Sequence, residues 1–224
     1  MATHEAGHGV LHELWFADRP IEQVTITPRG DSEGFMAIDT EAADDRGRTA
    51  EHLRHEIGVL LGGRLAEVLA FGPQQGASVG ASDDLRRARN LAFMAVAHMG
   101  LDAEMGLLSL RQTDDEDRAL MPEALKQQVW QRVRCWLDEA EALARAALQA
   151  HWPVVQALAD ELLAADHVPG TRVTELVRAA ASSPATAAAS APASTPISAA
   201  TTAPLSAPAA SPPQAKARPR RARH

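Results

Sequence analysis

The chain has 224 residues, 46% of them hydrophobic, and a net charge of −7, enough apolar material for one folded domain with a tail. That charge is a −12 body offset by five basic residues near the end, Lys216, Arg218, Arg220, Arg221 and Arg223, which argues against nucleic acid as a partner. A single cysteine, Cys135, rules out an internal disulfide and fits a reducing compartment.

No apolar run reaches the ~20 residues that span a bilayer, and no basic, apolar leader opens the chain. A cytoplasmic protein with no transmembrane segment in this chain is expected, any membrane association coming through a partner.

Val10, Leu11, Leu14 and Trp15 form an apolar stripe at helical spacing, predicting a helix over residues 4–18 with Thr3 as N-cap and Pro20 as the stop. "EQVTITP" and "EGFMAID" read as short strands around the turn-rich "RGDSEG", a β-hairpin. The strand at residues 22–28 is a candidate rail for aligning an extended peptide by strand addition.

A second helix is predicted over 49–70, where Leu53, Ile57, Leu60, Leu61, Leu65 and Leu69 recur at three and four. Gly62 and Gly63 inside it cost about 1 kcal/mol each against alanine, so close backbone packing is expected there. The loop "FGPQQGASVGAS" then delivers Ser82, Asp83 and Asp84 to the start of a third helix that runs to about His98.

A long helix over 122–150 carries the stripe Leu125, Val129, Val133, Trp136, Ala140, Leu143 and Ala147, with Cys135 beside it as a small core residue. Helices over 153–166 and 173–179 complete the domain. Residues 180–224 are rich in Ala, Pro, Ser and Thr and end in the basic cluster, a composition that predicts a disordered tail.

The chemistry sits in "HEAGH", residues 4–8. Histidines four apart project from one helix face, so His4 and His8 can reach a single zinc ion, with Glu5 beside the water that ion would hold. A catalytic site needs a third protein ligand and an open position. His12 continues the spacing, but one helix face cannot wrap three ligands around a tetrahedral ion. The candidates are therefore Glu51, Glu56, Glu67, Asp83 and Asp84. His52 and His55, three apart on an acidic helix, read as solvated.

Five segments in order, "HEAGH", "VTITPRG", "LLGGRLAEVLAFG", "GASDDLRRA" and "HMGLDAEMG", resemble the proteolytic domain of the FtsH-type, membrane-anchored ATP-dependent zinc metalloproteases, over residues 3–178. The resemblance implies His4, His8 and Asp84 as zinc ligands and Glu5 as catalytic base. It also implies a mainly α, zincin-like fold with a small β-hairpin or sheet, unfolded polypeptide substrates, and hexameric rings in intact members.

Asp83 and Val68 replace an asparagine and a glutamate of the family pattern. Glu67 is retained, either as a helix acid pairing with Arg64 or as support behind a metal ligand. The chain has no tyrosine to stabilise an oxyanion, which leaves His98 as a substitute or as a plain helix-end residue.

A G-x-x-x-x-G-K-[ST] phosphate loop is absent from the 224 residues, and only three residues precede His4. The expectation is a zinc metalloendopeptidase domain over 1–179 and a tail over 180–224, free-standing or part of a longer protein. It would be a homo-oligomer or a subunit fed by a separate ATPase. The alternative is a catalytically idle module docking on intact family members.

Overall fold

Small residues dominate one side of the first helix, and the structure uses them to bury that helix almost completely. The computed structural model describes residues 1–27, 35–38, 48–110 and 122–182. In chain order these form α1 (Ala2–Trp15), β1 (Ile21–Thr25), β2 (Phe35–Ile38), α2 (Ala50–Gln75), α3 (Ser82–Ala97), α4 (Glu123–Ala150), α5 (Trp152–Ala165), β3 (His167–Pro169) and α6 (Gly170–Ala181). A single 3-10 turn, Val79–Ala81, precedes α3. The fold is thus mainly α with a small antiparallel sheet, as expected.

α1 is the hub, packed against α2, α5, α6 and the sheet. Its crossing with α2 is set by glycine. A Cβ on Gly7 would stand 2.5 Å from the Gly62 carbonyl oxygen, and one on Gly62 would meet Leu11 Cδ1 at 2.8 Å. The helical cost of these glycines is offset by backbone contact that no larger residue allows. Val10, Leu11, Leu53, Ile57, Leu61 and Leu65 fill the space around the crossing.

Several boundaries differ from expectation. α1 begins at Ala2 with Met1 as its cap, so Thr3 lies inside the first turn and caps nothing. It ends at Trp15, where the Phe16 amide donates to the His12 carbonyl, well before Pro20. On α2, Thr49 caps as its residue type predicts, accepting from the His52 amide at 3.2 Å. Gly72, at φ 81°, kinks that helix before Pro73.

On α4 the buried seam runs through Val129, Val133, Trp136 and Ala140, then drifts to Ala144 and Leu148; Leu143 is 42% exposed. The expected stripe and the buried seam part at Ala140, where steps of four carry the seam to Ala144 and Leu148 instead of a step of three to Leu143. α6 reaches Ala181, two residues into the stretch expected as tail. The tail from residue 183 on and the "RGDSEG" turn lie outside the described residues.

The sheet order is β2-β1-β3, antiparallel throughout. Sequence reading finds the β1–β2 hairpin but misses β3, whose Val168 pairs with Val24. This corrects the strand-addition expectation: β1 is paired on both sides and has no free edge for a peptide.

Candidate metal centre

α1 places His4 and His8 one turn apart, both over nine-tenths buried, with their rings edge to face at 4.8 Å between centroids. α2 can approach them only because residue 63 is glycine. A Cβ there would lie 2.5 Å from His4 Nε2 and 2.5 Å from His8 Nε2. The start of α3 then brings Asp84 against the pair.

The three donor atoms form a small triangle. His4 Nε2 and His8 Nε2 are 3.1 Å apart, and Asp84 Oδ2 lies 3.3 Å from each. The outer nitrogens fix the tautomers. His8 Nδ1 lies 2.7 Å from the Val59 carbonyl oxygen, which can only accept, so Nδ1 carries the proton. His4 Nδ1 lies 3.3 Å from the Glu67 carboxylate, which imposes the same choice. Both neutral imidazoles therefore turn bare Nε2 lone pairs toward one carboxylate oxygen.

Three electron-pair donors facing one point suit a cation. A tetrahedral ion with ligands at about 2.0–2.1 Å has ligand atoms about 3.3–3.4 Å apart. The observed triangle matches one face of that tetrahedron within a few tenths of an ångström, so the residues fit a zinc-sized ion. Among the described residues this is the one His/Cys/Asp/Glu group able to hold a metal.

The electrostatics agree. Burial would push the Asp84 carboxyl up, but His4 and His8, when protonated and donating from Nε2, outweigh burial and hold it well below the usual carboxylate range. Burial would push the His4 imidazole down, and the Asp84 and Glu67 carboxylates overcome it and raise its pKa. The site is arranged to favour positive charge.

Glu5 is 5% exposed. Among the described residues no hydrogen bond or ion pair holds its carboxylate, and its oxygens are not sealed from solvent. Burial pushes its pKa up, partly offset by His8 and His4.

The other candidates lie elsewhere. Asp83 is turned out, its side chain 77% exposed and paired with Arg86 at 3.1 Å. Glu56 is committed to Arg19, Arg48 and His52. Glu51 is exposed in the first turn of α2. His12 is buried, its Nε2 donating to the Arg19 carbonyl at 2.7 Å.

His52 and His55 are not the solvated pair expected. His55 stacks on Trp15 at 4.6 Å and His52 meets Phe16 edge-on, because the end of α1 offers both rings an apolar partner. His98 caps α3 with its ring against Phe93. Glu67 proves to be a support for His4, while Arg64 reaches the Ser78 carbonyl instead.

Sequence reasoning gave no weight to Asp102. It is buried, takes hydrogen bonds from the Glu104 and Met105 amides and from Trp136 Nε1, and pairs with Arg132 at 3.0 Å. Its partners are 30 and 34 residues away on α4, beyond any local pattern, although an acid one residue after "GL" in a glycine-flanked turn was the available signal.

Two histidines a turn apart, a glutamate between them and a carboxylate from a second helix form the donor pattern of H-E-x-x-H metal-dependent peptidases. The chain belongs to peptidase family M41, whose family model matches residues 1–176.

Relatives include the ATP-dependent zinc metalloprotease FtsH of Leptotrichia buccalis, 31% identical over 180 residues, covering 79% of this chain and 23% of the relative. The protein of the same name from Syntrophotalea carbinolica is 33% identical over 187 residues, covering 79% of this chain and 28% of the relative. That from Thermobaculum terrenum is 31% identical over 196 residues, 84% and 30%. The chain spans between a fifth and a third of the length of these relatives. Among its described residues no helix is long and apolar enough to cross a membrane.

Proposed function

We propose that residues 1–179 form a zinc-dependent endopeptidase domain that hydrolyses peptide bonds in unfolded polypeptides. The observation that carries this reading is the donor triangle of His4, His8 and Asp84, with both imidazole Nε2 lone pairs turned inward. These three residues would hold the ion, leaving the fourth position open to substrate and water. A bound zinc ion supplies a Lewis acid and lowers the pKa of water it holds to about 7.

The chain's own residues supply the rest. Glu5, buried and with a carboxylate free of protein hydrogen bonds, accepts the proton from the attacking water and returns it to the leaving amine. Glu67 and the Val59 carbonyl hold the rings in the tautomer that leaves each Nε2 free to bind.

Five side chains of this kind have no evident use in a purely docking module. That favours the active reading over a catalytically idle one.

The relatives are named as ATP-dependent, and the 224 residues here contain no phosphate-binding glycine loop. The work of unfolding is therefore assigned to a partner or a further segment, whether a separate ATPase or a ring of like chains. The compartment that goes with this reading is the cytoplasm, supported by the lone free Cys135.

The test is cleavage of unfolded casein by the purified chain with zinc supplied. Activity should vanish with a chelator and return with zinc. It should not respond to ATP, and a folded substrate should be cut at a rate set by its own unfolding. Zinc-replete chain that leaves casein intact, alone and with a full-length family member present, would favour the docking module.

A further inference from the structure

The third donor, Asp84, arrives on a loop, and the structure shows how that loop is held. After the kink at Gly72 the chain doubles back over α2. Gly76 lies so close that a Cβ there would overlap the Glu67 carbonyl. Arg64 Nη1 donates to the Ser78 carbonyl oxygen at 3.3 Å, and Ser78 Oγ donates to Glu67 Oε2 at 3.5 Å. The same Glu67 oxygen faces His4 Nδ1 at 3.3 Å. Four residues beyond Ser78 the chain enters α3, where Asp84 turns Oδ2 to the imidazoles and Oδ1 toward Arg87 at 3.9 Å. One carboxylate, Glu67, thus touches both the first donor and the loop that presents the third.

We propose that Ser78 and Arg64 are positioning residues, clipping the 76–81 loop to Glu67 and α2 so that Asp84 is presented in register with His4 and His8. The idea rests on the zinc reading above. Neither residue touches the donor triangle, and both act through Asp84. Gly76 and Ala81 are buried at the two ends of the loop, but residues 77–80 between them are exposed, Val79 at 89%, so the middle of the loop has little apolar packing to hold it. A loop held by polar contacts rather than burial depends on those contacts for its position.

The experiment is a double-mutant cycle on the full chain, reading zinc affinity by chelator competition and Co²⁺ absorption. Ser78→Ala and Arg64→Met should each weaken binding about 10-fold, the usual scale for residues behind a ligand. Ser78→Thr, which keeps the hydroxyl, should restore it. With Asp84→Ala already in place, Ser78→Ala should have no further effect, and the Co²⁺ spectra of Asp84→Ala and of the double variant should coincide.

Amide exchange of residues 79–84 in the metal-free chain should quicken in Ser78→Ala while the melting temperature stays put. An equal loss of affinity with and without Asp84 would overturn the clip, as would unchanged affinity and exchange. If the unsubstituted chain binds no zinc, the metal reading itself falls, an outcome visible before any variant is made.

Discussion

Two buried acids divide this molecule. Glu5 on α1 and Asp102 before α4 are 5% and 2% exposed, so both have surrendered most of their water. Asp102 is repaid with donors from Arg132, Trp136 Nε1 and two backbone amides. The Glu5 carboxylate has no hydrogen bond or ion pair among the described residues.

Burying a carboxylate without partners is costly, and a fold bears that cost where the group has another task. A saturated acid anchors structure; one that lacks protein partners, reaches solvent and stands beside two imidazoles is available for proton transfer.

The contrast breaks first on stability. Asp102→Ala strands the Arg132 guanidinium and the Trp136 indole N–H, and should cost about 3–5 kcal/mol, the scale for breaking one side of a buried pair. That corresponds to a fall in melting temperature of roughly 6–20 °C for a domain of this size. A loss under about 1 kcal/mol would remove Asp102 from its anchoring role.

Glu5→Gln should do the reverse, keeping zinc content and melting temperature while peptidase activity falls at least ~100-fold, about 2.7 kcal/mol in the barrier. Retained activity on casein would leave Glu5 without its part.

Gly63→Ala sharpens the comparison at the α1–α2 crossing. The new methyl would meet both imidazoles, so zinc affinity should fall at least ~10-fold while the distant Asp102 anchor is untouched. Chelator competition reads the first, and near-UV circular dichroism of the buried Trp136 reads the second.

The smallest effect is in pH. Burial pushes the Asp102 carboxyl up, but hydrogen bonds from Arg132, the Met105 amide and Trp136 outweigh it and leave the folded-state pKa lowered. Its contribution is full above the ordinary carboxyl value and is lost as pH falls through the lowered one. Unfolding curves of Asp102→Asn should therefore converge with those of the unsubstituted chain in strong acid and diverge as pH rises. Parallel curves would mean the carboxylate charge is irrelevant there.

The sequence made much of this legible. Helical spacing placed α1, α2 and α4, because apolar residues at three and four must share a face. "HEAGH" marked two donors and Glu5 through spacing alone. Asp84 could be separated from Asp83 only by resemblance, since both are acids at a helix start. The structure parts them by direction, one inward and one 77% exposed beside Arg86.

β3 escaped because three residues hold no period and its pairing partner lies over 140 residues away. Asp102 escaped for a similar reason, since Arg132 and Trp136 lie 30 and 34 residues on and leave no trace in local pattern. The Ser78 contacts span only 11 and 14 residues but cross an irregular loop, where no helical or strand period applies.

The most direct test of the central claim is zinc content and affinity in three chains: unsubstituted, Asp84→Ala and Asp83→Ala. The account predicts one zinc per chain, a large loss of affinity at Asp84, and almost none at Asp83. Equal losses at the two aspartates, or a greater one at Asp83, would contradict it.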